Sequence, residues 1–226
     1  MTMAFDRRTI VRVGVPILIS LVLVVLYFAG VLATVKPISE AKSATALAEG
    51  GTAFDRVKYV DSIWESKVIP TVENDSVPFD TLIAAIQADP KHAAEMYGHD
   101  VGGATNYLVS FSGIVGNVDT SSLTGTISVN VSYAERDVPV KAQIGPIILG
   151  TALRDAVKFI KFEDFLNQMQ FGNVSDELNT RVENQVVSKL DLNTLSGKKV
   201  AIKGAFTHDG SAINDILVTP VIVKVE

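Results

Sequence analysis

The chain has 226 residues, 47% of them hydrophobic and 20% charged, with a formal net charge of −5 and no cysteine. A mean hydropathy of +0.30 excludes intrinsic disorder and requires that apolar residues be concentrated somewhere. Without cysteine there is no disulfide framework, thiolate nucleophile, thiolate-bound zinc or acylated lipoprotein cysteine in these residues, and the acidic balance argues against nucleic-acid binding, which relies on clustered Lys and Arg.

Residues 1–12 read as a cytoplasmic tail, and residues 13–35 form a run without a charge. At about 1.5 Å per residue the run reaches roughly 34 Å, enough for a hydrocarbon core of about 30 Å. The spacing predicts a transmembrane helix with Pro16 harmless in its first turn. Arg7, Arg8 and Arg12 face only Asp6, so the N-terminus stays in the cytoplasm and the rest is exported across the inner membrane to the periplasm. The competing reading is a cleaved secretory signal ending at Ala46-Leu47-Ala48, although the apolar run exceeds the roughly 7–15 residues of a signal core. Removing residues 1–35, with three Arg and one Asp, takes the formal charge from −5 to −7. Residues 36–53 are small and polar, as in a linker.

Residues 54–226 read as one periplasmic α+β domain, helical over 54–104 and β-rich over 105–226. Val57, Val60, Ile63, Trp64 and Val68 recur at three- and four-residue steps, which predicts a helix ending before Pro70, with Trp64 as a packing residue. Further helices are expected at 78–87 and 90–97, with Gly98 as the residue that ends the second. Gly102-Gly103 reads as a hinge into the first strand. Alternating segments at 107–115 and 125–133 predict a strand pair joined by a turn at 119–122. A third strand is expected over 138–149, at an edge or with bulges because of Pro139 and Pro146. A helical turn follows at 151–156, then a helix over 175–190 capped by Ser175, with Leu178, Val182, Val186 and Leu190 four apart. Two strands, 199–206 and 213–225, flank a turn at 208–211. Five strands with a helix between the third and fourth is the chain order of a five-stranded, OB-like, partly open β-barrel.

The motif search is largely negative. His92, His99 and His208 lack metal-ligand spacing and read as surface or turn histidines, and no nucleophile elbow, P-loop or dinucleotide glycine pattern follows a strand. No catalytic residue, metal or cofactor is expected. The polar clusters are Arg154-Asp155 and Asn167-Gln168. Arg154 offers a planar fork suited to a carboxylate, with Asp155 positioned to orient it, while the Asn167 and Gln168 amides suit sugar hydroxyls or unpaired loop backbone. Two readings stay open: a binding groove, or a brace that satisfies buried main chain. Phe159, Phe162, Phe165 and Phe171 read as core.

Gly145-Pro146, Gly150 through Ala156, Phe162 and Phe165 followed by Asn167-Gln168, and Leu178-Asn179 resemble a bacterial family described as predicted periplasmic lipoproteins, a domain of unknown function. The likeness extends to Tyr97-Gly98-His99, Asn106-Tyr107, Gly113, Val115, Gly197 through Val200, and Leu217 through Pro220. It implies an N-terminal membrane signal, genes lying beside sugar ABC transporters, and thus an envelope protein linked to carbohydrate uptake. The chain departs from the lipoprotein description in having no cysteine to acylate. Asn106 joins Arg154, Asp155, Asn167 and Gln168 as a candidate binding residue. The expected function is a non-enzymatic accessory of a carbohydrate transporter, its partners the inner membrane and an ABC permease or substrate-binding protein. The alternatives are an envelope assembly factor and, third, a hydrolase using Asp155 and Asp164.

Overall fold

A computed structural model describes residues 54–209 and 216–226. The expected transmembrane helix at 13–35, its cytoplasmic tail, the linker and part of the 208–211 turn lie outside the described residues. Among the described residues no helix is long and apolar enough to cross a membrane.

The first helical segment is longer than its sequence pattern. Helix α1 (Arg56–Ile63), capped by the Asp55 side chain on the Lys58 amide, runs into a π-helical turn at Trp64–Val68 and then into α2 (Ile69–Asp75). Pro70 was expected to end the helix. Instead, the Ile69 amide bonds the Trp64 carbonyl one residue further back than in an α-helix, and Pro70 opens a new helix where its missing N–H costs nothing. Val60, Ile63, Trp64, Val68 and Val72 are buried along this segment. Strand β1 (Val77–Pro78) leads into α3 (Phe79–Ala88), which buries Phe79, Leu82, Ile83 and Ile86, and α4 (Pro90–Tyr97) starts at an Asp89 cap.

Strand β2 (Gly98–Val101), absent from the sequence reading, pairs antiparallel with β3 (Ala104–Asp119) through a two-residue turn. Gly102 and Gly103 both have positive φ (64° and 88°), the requirement of the tightest hairpin turns, so this pair is a turn rather than a hinge. Strand β3 pairs with β6 (Lys199–His208) along its first part and with β4 (Thr126–Tyr133) along its last, with a register shift between Val115 and Val118. Strand β5 (Arg136–Gln143) pairs with β4, and β7 (Leu217–Val225) pairs with β6. Two parallel residue pairs, Lys141 with Leu217 and Ala142 with Val218, join β5 to β7 and complete the ring β3-β4-β5-β7-β6. The architecture is therefore α+β with a partly closed five-stranded barrel. Pro139 sits in the β5 half without a second partner strand, where a missing amide is tolerated. Pro146 lies beyond the strand, which ends at Gln143 rather than at 149.

Between β5 and β6 come α5 (Ala152–Ala156) and α6 (Gln168–Gln185). Helix α6 begins seven residues before the expected start, because Asn167, not Ser175, is its cap: Asn167 Oδ1 accepts the Gln170 amide at 2.9 Å. Ser175 is buried inside the helix and donates to the Gly150 carbonyl at 3.1 Å. The barrel core is built on Tyr107, Ile127, Ile202 and Phe206, and Leu153, Ile160 and Leu178 pack from the connecting segment.

Candidate functional site

The segment from Ile144 to Thr151 leaves the barrel without regular structure; its Ile144, Gly145 and Ile147 amides bond the Gly125 and Leu123 carbonyls, and other groups take side-chain partners. Gln143 supplies two: its amide nitrogen donates to the Leu149 carbonyl at 3.0 Å, and its oxygen accepts the Leu149 amide at 2.7 Å. The same nitrogen lies 3.0 Å from Thr219 Oγ1, tying the segment to β7. Asn179 donates to the carbonyls of Ile148 (3.2 Å) and Gly150 (2.9 Å) from α6. The segment is thereby fixed from both sides.

Helix α5 is held by a buried ion pair. Arg154 and Asp155 are 5% and 4% exposed. Arg154 Nε and Nη2 lie 2.7 and 2.6 Å from Asp155 Oδ1, and Nη1 donates to the Phe171 carbonyl at 3.2 Å. The guanidinium also lies 3.7 Å from the centre of the Phe171 ring, a cation–π contact. Among the described residues no buried side-chain N or O atom lacks a partner. Asn167 caps α6, and Gln168 is an exposed residue of its first turn. Arg154 and Asn167 therefore serve the same helix, one bonding Phe171 and the other capping the start.

A different set of residues converges on His99. Its Nδ1 lies 2.6 Å from the main-chain oxygen of Asp155, and because a carbonyl only accepts, Nδ1 carries the proton. The Asn106 amide donates to the His99 carbonyl at 3.3 Å, and Thr207 Oγ1 donates to Asn106 Oδ1 at 2.6 Å. Three of the residues singled out in the sequence thus stand behind His99: Asp155 and Asn106 by direct bonds, Arg154 by fixing Asp155.

His99 lines an open cleft of about 500 Å³ between α4 and the β2-β3-β6 end of the sheet. Sheet register assembles its floor: Gly98 opposes Tyr107, and Asp100 opposes Thr105, which opposes His208 on the other side. Strand alternation places Gly98, Asp100, Thr105, Tyr107 and His208 on one face. Gly98 is extended (φ −96°, ψ 176°), so it is not the left-handed helix terminator expected from sequence. Its role is close approach, since a Cβ there would meet the Thr105 methyl at 2.3 Å and the Ala94 carbonyl at 2.9 Å. Thr105 Oγ1 donates to Asp100. Tyr107 is buried and stacks on Phe206 at 5.5 Å. Burial pushes its hydroxyl up from the ordinary tyrosine value; the Thr105 hydrogen bond opposes this and the Asp100 carboxylate adds to it. Lys91 and Glu95 line the cleft from α4, and Lys158 from the segment after α5. The cleft thus offers two ammonium groups, three carboxylates, a hydroxyl and the His208 imidazole, while alternation along β2 turns the His99 ring to the other face, toward Asp155. Among the described residues no group of three or more His, Asp or Glu could hold a metal ion.

A second cavity of about 450 Å³ lies between α3 and the strands. Phe79, Phe111 and Ile202 line it together with Asp80, Ser110 and Lys224, and its Lys203 ammonium bonds the Glu73 carbonyl at 2.6 Å. Sequence reasoning missed the cleft because His99 and His208 are far apart in the chain and meet only through the pairing of β2, β3 and β6. The adjacent strings Tyr97-Gly98-His99 and Asn106-Tyr107 were the available signal.

The model of the family described as "Predicted periplasmic lipoprotein (DUF2291)" matches residues 21–224. The chain belongs to the DUF2291 family. A solved structure, an OB-fold protein from Thermotoga maritima, is similar to this DUF2291 chain with a TM-score of 0.62 and 20% sequence identity, covering 77% of this chain and 100% of that one. At that identity the likeness concerns the fold, and it agrees with the barrel order read from the strands. No curated protein matches the chain. The family description is periplasmic and lipid-anchored, whereas these 226 residues contain no cysteine for acylation.

Proposed function

We propose that this DUF2291 protein is held in the inner membrane by residues 13–35, with its N-terminus cytoplasmic, and presents the OB-like domain in the periplasm as a non-enzymatic accessory of a carbohydrate transporter. The cleft lined by His99, Asp100, Thr105, Lys158 and His208 engages a permease, a substrate-binding protein or the carbohydrate itself. The observation that carries the reading is the composition of this cleft. Lys91 and Lys158 face Glu95, Asp100 and Asp209, and the Thr105 hydroxyl and His208 imidazole both donate and accept, which suits a polyhydroxy ligand or a mixed polar protein surface. The membrane position is supported by the uncharged run and the arginines before it.

The hydrolase reading draws little support, because the Asp155 carboxylate is occupied by Arg154 and Asp164 is exposed. The envelope-assembly reading is favoured by one observation: Leu123, Ile147 and Leu149 are 65%, 44% and 52% exposed, and the Ile147 amide bonds the Leu123 carbonyl, bringing two apolar loop tips together. Growth of a deletion strain on a panel of carbon sources separates the two. The transporter reading expects a defect confined to particular carbohydrates. Envelope-stress phenotypes on every carbon source would overturn it in favour of assembly.

A further inference from the structure

Phe162, Leu166 and Met169 are 47%, 70% and 67% exposed, three large apolar side chains between a 3-10 turn at Phe162–Asp164 and the start of α6. Single exposed apolar residues are ordinary, but a cluster marks an interaction surface. This cluster stands on a rigid base. Asn167 caps α6, the Leu166 amide donates to Gln170 Oε1 at 3.0 Å, Phe162 packs edge-on against Phe171 at 5.5 Å, and Phe165 lies 5.6 Å from the same ring.

The base also joins the start of the domain. Tyr59 of α1 meets Phe165 edge-on at 5.4 Å, only a few residues past the point where residues 1–53 attach at Phe54. The chain beyond that point holds the uncharged run at 13–35. Charges beside the cluster are mixed, with Lys161 against Glu163 and Asp164, so a specific anionic surface is not called for. An apolar rim near Phe54, from which the 36–53 linker leads to the uncharged run, fits shallow insertion into a bilayer interface.

We propose that Phe162, Leu166 and Met169 form a lipid-contacting rim that rests the domain on the periplasmic surface of the bilayer. The proposal rests on the membrane-anchor reading. Since the chain has no cysteine, Leu166→Cys creates a single labelling site at an exposed position. The full chain carrying an environment-sensitive fluorophore there is reconstituted in phosphatidylethanolamine–phosphatidylglycerol vesicles with lipids spin-labelled near the headgroup, and Asn130→Cys on the exposed side of β4 serves as reference. The expected result is several-fold stronger quenching and blue-shifted emission at Leu166. Equal, water-like signals at both sites in a chain that floats with the vesicles would overturn the rim alone. A chain that does not float would overturn the anchor and the rim together. Protection of Leu166 in native membranes but not in lipid vesicles would assign the rim to a protein and overturn the lipid proposal.

Discussion

His99 Nδ1 lies 2.6 Å from the main-chain oxygen of Asp155, a contact across 56 positions of sequence that ties the cleft to the buried Arg154–Asp155 pair. Removing one partner of a buried ion pair leaves the other desolvated and uncompensated, at about 3–5 kcal/mol. Arg154→Ala is therefore expected to lower unfolding stability by about that amount in urea denaturation and to shift the His99 ring signals by NMR. Arg154→Lys should not restore stability, because an ammonium lacks the planar fork that reaches Asp155 and Phe171 together.

Asn167 is a helix cap whose Oδ1 accepts the Gln170 amide, so its chemistry as an acceptor matters. Asn167→Ala is expected to cost about 1 kcal/mol. Asn167→Asp keeps the acceptor beside the positive end of α6 and should hold the native stability. Thermal unfolding of the two variants checks this; equal losses in both would mean that the amide nitrogen is the important group.

The β4–β5 hairpin turns through Ala134 and Glu135, both at positive φ (49° and 62°) without the glycine that such a turn favours. Replacing them with Asn-Gly should stabilise the domain by about 1–2 kcal/mol, from the left-handed strain relieved. A raised denaturation midpoint at unchanged slope is the expected signature.

These two hairpins show why some of the fold was legible in the sequence and some was not. Gly102-Gly103 advertises a turn, but β2 before it has only four residues, too few for a periodic signal. Ala134-Glu135 carries no glycine or proline, and the break between the strands expected at 125–133 and 138–149 falls on it because the alternation stops there. The long strands and the apolar faces of α1 and α3 were visible because burial imposes its period on the residues. The first half of α6 was not, since Ser175 before Asp176 and Glu177 reads as a cap, and packing of the buried Phe171 and Val174 carries the helix back to Asn167. Arg154, Asp155 and Asn106 were recognisable as unusual polar residues. Their role behind His99 depends on strand register and on α5 packing against the sheet, which no local pattern encodes.

The raised Tyr107 hydroxyl has a pH consequence. The unfolded chain releases this proton at the ordinary tyrosine value of about 10, whereas the folded chain holds it to higher pH. Its contribution to stability is thus fully present below about pH 10 and is lost as the pH rises through the folded value. Ultraviolet titration should show late ionisation of both Tyr59, raised by burial and the nearby Asp164 carboxylate, and Tyr107, and Tyr107→Phe should remove one of the two. The stability of Tyr107→Phe should also fall less steeply than that of the native chain in this alkaline range.

The cleft is tested most directly by co-purification of the full chain from detergent-solubilised membranes, compared with an Asp100→Ala, His208→Ala double variant of matched thermal stability. The native protein is expected to bring down a permease or substrate-binding protein of a carbohydrate transporter, and the double variant to lose it. Recovery of the native protein alone in repeated experiments, or equal recovery of the same partner by the variant, would contradict the assignment of this cleft.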